Sequence, residues 1–308
     1  MAVEKVRLTT ELAREKEKFL TTFHAKVLDS RGSDSILGDT FAAEAAAHID
    51  LDLDSLKVAK GASLTVPMRA KHLDTWAREY LAAHPSSTVL HLGCGLDSRV
   101  YRIDPPPTVR WYDVDRPEVI ELRRRVYPER HDHAMIGTSV TDLRWLDAIS
   151  ADRPVLVIAE GLVMYLSEHD GVALLRRIAA QFPSGQLIFD AYSRLTVRLM
   201  MLVSSMMRAG LSLSWAIDDP RQLETQVPAL RLVTATPFLT IPELVARLSR
   251  SQSAMQRRIF GAMTRRAWFR RSIQHLRYEF ALAPDQLTRV IGGLSDDPHE
   301  SNPEKIKR

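Results

Sequence analysis

Thr88-Val89-Leu90-His91-Leu92 runs directly into Gly93-Cys94-Gly95 and then into a segment of helical pattern. No other feature constrains the chain as much. A short apolar run closed by a Gly-x-Gly turn predicts a buried strand that turns with positive φ into a helix. There an α/β protein can bring bare backbone against a bound nucleotide-like group. The same rhythm continues beyond it. Strands are expected over residues 109–113, 133–136, 154–159 and 186–190, separated by helices over 117–126 and 168–182. The stretch 154–159 is apolar on both faces, as a central parallel strand is. Asp115 and Glu118 have capping-box spacing at the first of these helices, and Ser167 is placed to cap the second. Such alternation predicts a doubly wound, mostly parallel, Rossmann-like α/β sheet with helices on both faces, whose ligands sit beyond the carboxyl ends of the strands.

The flanks differ. Helices are expected over residues 4–28, where Phe19, Phe23 and Val27 share a face, over 41–48 with Asp39 or Thr40 as cap, and over 69–83. Residues 195–213 carry Met200, Met201, Met206 and Met207 among apolar neighbours. They read either as core packing or as an adaptable lid over an apolar substrate. Residues 272–282 read as a closing strand, and the chain is polar from 283 onward. The implied division is an N-terminal helical cap over 1–84, a cofactor-binding core over 85–192, a helical lid insert over 193–265, and a closing strand with a polar tail over 266–308.

Composition narrows the class. A chain of 308 residues with 45% hydrophobic and 26% charged residues can bury a large core without disulfides, and its one cysteine, Cys94, excludes an intrachain bridge. This fits a reducing, cytoplasmic setting. No apolar stretch approaches the roughly 20 residues of a membrane span, and the first residues lack a signal peptide's apolar centre. Membrane contact is therefore not expected. The net charge is +4. Its arginines, Arg123 to Arg125, Arg265, Arg266, Arg270 and Arg271, read as a solvated surface or as an attraction for acidic or carrier-linked substrates. No nucleic-acid module accompanies them. No metal-ligand cluster is evident, and His131-Asp132-His133 reads as an exposed entry to a strand.

The candidate site residues fall at strand ends. Gly93 and Gly95 form the cofactor loop. The third glycine of the dinucleotide fingerprint is missing. Arg99 stands near its place, where it would crowd a pyrophosphate, which favours S-adenosylmethionine (SAM) over a nicotinamide dinucleotide. Asp113 and Asp115 close the second strand, where a carboxylate can accept both ribose hydroxyls. Glu160 ends the fourth strand, and Gly161 permits a sharp turn after it. Cys94 reads as a small packing residue.

Four stretches, RAKHLDTW, HLGCGLDSR, WYDVDRPEVIELR and AEGLVMYL, together resemble the leucine carboxyl methyltransferase superfamily. The resemblance is strongest to its bacterial branch of polyketide O-methyltransferases. It runs from about residue 26 to the strand near Tyr278 and implies a class I methyltransferase fold. It also implies that Arg69 grips the methionine carboxylate of SAM, assisted by Lys26. Gly93 and Gly95 would then match the cofactor loop, and Asp115 the ribose-binding aspartate. Asp142 and Leu143 would lie beside the adenine, and Glu160 at the methionine end. Arg116 and Ser98 stand where the family often has leucine and threonine, and the stretch from Leu195 to Met263 matches only loosely.

The activity these readings imply is methyl transfer from SAM, leaving S-adenosylhomocysteine, to a carboxylate or phenolic oxygen of a small, partly apolar metabolite. The enzyme's task would be to position the acceptor and exclude water. Glu160 and Tyr165 are expected near the methyl-transfer end. His24, His72 and His275 are further acid–base candidates without an assigned role. The alternatives are a protein C-terminal carboxylate as substrate, or a SAM-binding protein without catalysis. The chain is expected to act as a monomer or homodimer.

Overall fold

The computed structural model describes residues 6, 16–50, 61–202, 212–250 and 252–281. Expectations placed on the Phe19 side chain, on Met206 and Met207, and on the tail beyond 283 lie outside the described residues. Three N-terminal helices come first: α1 (Lys16–Arg31), α2 (Thr40–Ala47) and α3 (Ala62–Ala83). The α/β run follows as β1 (Thr88–Leu92), α4 (Arg99–Ile103), β2 (Arg110–Asp115), α5 (Pro117–Val126), β3 (His133–Gly137), β4 (Val155–Ala159), α6 (Glu168–Gln181) and β5 (Ser184–Tyr192). Then come α7 (Arg194–Leu202), α8 (Gln222–Gln226), β6 (Arg231–Pro237), α9 (Pro242–Arg250), α10 (Ala254–Met263), α11 (Ala267–Arg270) and β7 (Ile273–Ala281).

The seven strands form one sheet in the order β3-β2-β1-β4-β5-β7-β6. The first five are parallel, while β7 runs antiparallel between β5 and β6. The strand order reverses between β1 and β4, so the crevice at the switch point opens beyond Leu92 and Ala159. The period-two alternation of β4 shows why the sheet needs cover on both sides. Val155, Val157 and Ala159 join one core with Val172, Leu174 and Ile178 of α6. Leu156 and Ile158 join a second core with Phe23, Leu73, Trp76 and Val119 from α1, α3 and α5. The N-terminal helices are thus packed directly on the sheet.

Local signals explain most boundaries. The Asp39 carboxylate accepts the Ala42 N–H at 3.1 Å and starts α2, and Ser167 caps α6 through the Asp170 N–H at 3.0 Å. The capping box expected from Asp115 and Glu118 does not form. Arg116 holds the N-cap position of α5 without a side-chain bond, Pro117 supplies the first turn, and Glu118 pairs with Arg116 at 3.2 Å. Helix α3 begins earlier than the sequence suggests and carries Pro67 within its first turns. Strand β6 falls inside the stretch 193–265, which was expected to be helical. That stretch therefore contributes an edge strand to the sheet, joined to β7 across a register shift between Leu232 and Thr234. Arg123, expected on the surface, is fully buried. No described helix is long and apolar enough to cross a membrane.

Candidate active site

The turn after β1 is held open by glycine. Gly93 has φ +61°, and a Cβ there would lie 3.0 Å from the Leu162 side chain. Two residues on, the Gly95 N–H donates to Asp115 Oδ2 at 2.7 Å, while the Arg116 N–H donates to Oδ1 at 2.7 Å. Each Asp115 oxygen thus holds one backbone donor and keeps acceptor capacity to spare. Burial pushes its carboxyl above the usual range, and the two amides offset this only in part.

Asp113, two residues earlier on the same strand, is the opposite case. It accepts from Trp111 Nε1 at 3.0 Å, His91 Nδ1 at 2.9 Å, His133 Nε2 at 2.8 Å and the Arg123 guanidinium. Burial alone would raise its pKa, but Arg123 and the two histidines hold it well below the usual carboxylate range. Asp113 is saturated and structural, and of the two carboxylates only Asp115 lines the cavity. His133 is consequently a buried partner of Asp113 rather than an exposed strand entry.

The end of β4 carries the second half of the site. Glu160 accepts from Arg69 Nε at 3.1 Å and from the Arg99 guanidinium, with Lys26 Nζ at 3.7 Å. Burial would raise its pKa, yet Lys26, Arg99 and Arg69 hold it well below the usual range. Arg69 also reaches Asp190 Oδ2 at 3.1 Å, and Asp190 Oδ1 accepts the Gly161 N–H at 2.6 Å. Gly161 has φ +66°, and a Cβ on it would lie 2.9 Å from Arg69 Nη2. Glycine here permits both the turn and the arginine's approach.

Beside and behind this layer lies a largely buried ion network. Arg99 donates to Asp74 at 2.7 Å and lies 3.2 Å from Asp97, and Lys26 Nζ lies 2.9 Å from Asp97. Arg102 joins Asp74 at 2.6 Å and also binds Asp97. Arg99 therefore turns inward beneath the glycine loop and does not crowd a ligand, which removes that argument against a dinucleotide. Its Nη1 lies 3.0 Å from His91 Nε2. Since arginine can only donate, that nitrogen accepts and Nδ1–H donates to Asp113. Burial also lowers the His91 pKa, despite Asp113. The ring is neutral, with both nitrogens engaged.

These residues enclose a cavity of about 370 Å³, a size ordinary for a small-molecule site. Lys26, Arg69, Gly93, Gly95, Asp115 and Glu160 all line it, together with Asp97 and Gly161. Met164, Tyr165, Tyr192, Met200 and Leu213 line it as well. Burial raises the pKa of both phenols. Cys94 faces the same cavity, and burial raises its thiol pKa, as suits a packing residue. Asp142 and Leu143 are not brought there. Asp142 pairs with Arg144 at 2.6 Å, and Leu143 packs against the core. His72 and His275 pair with each other at 2.8 Å, away from the lining. Among the described residues no group of three histidine, cysteine or acidic side chains could hold a metal. The sequence reading missed the roles of Asp97, Asp190 and Tyr192. Asp97 lay within the quoted motif, and the other two stand at the end of a strand that was expected.

The sequence profile of the leucine carboxyl methyltransferase family matches residues 11–179. The chain belongs to the leucine carboxyl methyltransferase family. It is 44% identical to the tetracenomycin polyketide synthesis O-methyltransferase TcmP of Streptomyces glaucescens over 77% of this chain and 87% of that one. It is 33% identical to the SAM-dependent methyltransferase dpfgK of Gibberella zeae over 71% and 81% of the two chains. A Thermobifida fusca protein described as a methyltransferase superposes with a TM-score of 0.54 at 17% identity, covering 84% of this chain and 94% of that one, which shows the shared fold. This methyltransferase uses SAM, and the site fits that cofactor. Asp115 offers uncommitted lone pairs to hydroxyl donors, and Arg69 offers a buried cation at the cavity wall.

Proposed function

We propose that this methyltransferase transfers the methyl group of SAM to a carboxylate oxygen of a small, partly apolar, polyketide-like molecule. The observation that carries the choice of a carboxylate is the absence, among the described residues lining the cavity, of a base not already committed to another residue or, for Asp115, to the SAM ribose. His91 has both nitrogens engaged. Glu160 is held as a weakly basic anion by three cations. Tyr165 and Tyr192 keep their protons at neutral pH and serve as donors. A carboxylate is already nucleophilic and needs no base, whereas a phenol must lose its proton.

Bound SAM supplies an electrophilic methyl group. In this reading Asp115 accepts the ribose hydroxyls, and Arg69, supported by Lys26, receives the methionine carboxylate. Glu160 and Asp190 orient Arg69 from behind. Gly93 and Gly95 let the backbone close on the cofactor, while Met164, Met200 and Leu213 exclude water around the acceptor. Tyr165 and Tyr192 hold the acceptor carboxylate by hydrogen bonds. The similarity to TcmP across most of both chains supports a small-molecule acceptor over a protein C-terminus.

The test is methyl-labelled SAM with a panel of aromatic acids and their phenolic counterparts. Methyl esters release labelled methanol in mild alkali, and aryl ethers do not. Alkali-labile product supports the reading. Stable product formed from phenols alone contradicts it.

A further inference from the structure

The positive charge of this chain is concentrated in one stretch. Residues 244–278 hold nine arginines and no lysine, aspartate or glutamate, so the remainder of the chain carries a net negative charge. Arg247, Arg250 and Arg277 are paired with Glu243, Asp34 and Glu79. The other exposed arginines, Arg257, Arg258, Arg265, Arg266, Arg270 and Arg271, take part in no ion pair among the described residues. Arg257 makes only backbone contacts, at 2.7 Å to the Gln252 carbonyl and 3.5 Å to that of Ser249.

Outward-facing apolar side chains stand among them. Helix α10 has no buried residue. Its Met255 and Ile259, four apart and so on one face, are 73% and 54% exposed. Trp268 on α11 is 50% exposed, whereas the other four tryptophans are buried. Helix α7 repeats the design. Leu195, Leu199 and Leu202 form an exposed stripe beside exposed Arg198 and beside Arg194, which pairs with Asp218 at 3.6 Å. Six of the eight exposed large apolar side chains in the described structure belong to α7, α10 and α11. These elements meet at the cavity end of the sheet. The Ser193 N–H donates to the Ser272 carbonyl at 3.0 Å, and Ile273 pairs with Tyr192, which lines the cavity.

The chemistry of this face selects its partner. A second copy docked about a two-fold axis would set the arginine patch against itself. Nucleic acid would satisfy the arginines but leave the leucine stripe in water. An acidic protein would meet the charge, yet it needs shaped pockets for separated apolar anchors. A fluid interface of phosphate headgroups over hydrocarbon takes scattered leucine, isoleucine, methionine and tryptophan without shape matching, and it binds arginine. We propose that α7, α10 and α11 form a peripheral docking face for an anionic lipid surface, seating the cavity end of the enzyme at headgroup level. The earlier expectation of no membrane contact rested on the absence of a spanning length, which an interfacial helix does not need.

The test uses the purified full chain with phosphatidylcholine vesicles containing either no anionic lipid or about 30% phosphatidylglycerol. Binding is read by co-sedimentation and by quenching of Trp268 with bromolipid. The proposal predicts binding to the anionic vesicles only and loss of binding in high salt. Quenching should disappear in Trp268→Phe. Arg257→Gln with Arg258→Gln should weaken binding about twenty-five-fold, at about fivefold per arginine. Ile259→Asp should also weaken binding, and all variants should keep the parent's thermal midpoint and its affinity for S-adenosylhomocysteine. Failure to bind anionic vesicles overturns the proposal. So does binding indifferent to Ile259→Asp, or binding of soluble polyglutamate with vesicles ignored, which would assign the face to an acidic protein.

Discussion

The two ends of the cavity are built from different materials. At the glycine-loop end, Lys26, Arg69, Asp97 and Glu160 are buried and mutually paired, backed by Arg99, Arg102 and Asp74. Next to them stand Met164, Tyr165, Tyr192, Met200 and Leu213, which make a softer wall with phenols as its polar groups, and the two meet where Tyr192 bonds Arg69. The contrast follows from what each end must recognise. A zwitterionic cofactor of fixed shape rewards charges held rigidly by one another, although burying them costs desolvation. An apolar acceptor rewards side chains that can repack. The difference also marks how tolerant each end should be to change.

The largest expected effect breaks the rigid end. Arg99→Ala removes the cation that touches Asp74, Asp97 and Glu160 together, leaving them partly compensated by Arg102, Lys26 and Arg69, and should cost about 3 kcal/mol of stability. Met200→Ala, at the soft end, should cost about 1 kcal/mol. Urea unfolding of the two variants measures the gap, and equal losses would erase the distinction.

Next, Asp115→Ala should weaken SAM binding by about 1–3 kcal/mol in calorimetric titration with the fold intact. Asp113→Ala should instead lower the unfolding midpoint, because it strands Arg123. Gly161→Ala forces a side chain into positive φ against Arg69 and should cost about 1–2 kcal/mol. Part of that loss should appear as weaker SAM binding.

At the acceptor end, Tyr192→Phe should raise KM for the acceptor about threefold to tenfold, the scale of one hydrogen bond, with a smaller loss of SAM affinity through its bond to Arg69. The smallest effect is one of pH. The ionised Asp115 accepts ribose hydroxyls, and burial raises its pKa. As pH falls, the proton therefore returns above the ordinary value of 3.8, and SAM affinity should begin to decline there. Asp115→Asn should abolish that decline. Glu160 has the opposite sign. Its depressed pKa contributes stability that is complete above its ordinary value of 4.5 and is lost only as pH falls towards the folded value.

How legible these regions were depends on the range of the physics that sets them. Strand β1, a short apolar run closed by glycines, strand β4, apolar on both faces, and Pro117 at the start of α5 are local signals, and the sequence exposed them. The glycine loop, Asp115 and Glu160 were legible because a backbone turn or a strand end fixes each one. Strand β6 was missed because Arg231–Pro237 lies at an edge, half exposed, where burial imposes little pattern. The inward turn of Arg99 was missed because its partner Asp74 lies on α3, a neighbour only after folding. The difference between Asp113 and Asp115 was likewise invisible, since His91, His133 and Arg123 converge from three separate elements.

The most direct test of the account is a crystal structure of the full chain with S-adenosylhomocysteine bound. The account predicts ribose hydroxyls on the Asp115 carboxylate, the methionine carboxylate at Arg69, and the sulfur directed toward Tyr165 and Tyr192. A nucleoside bound away from Gly93 and Asp115, or a methionine end that leaves Arg69 untouched, would contradict it.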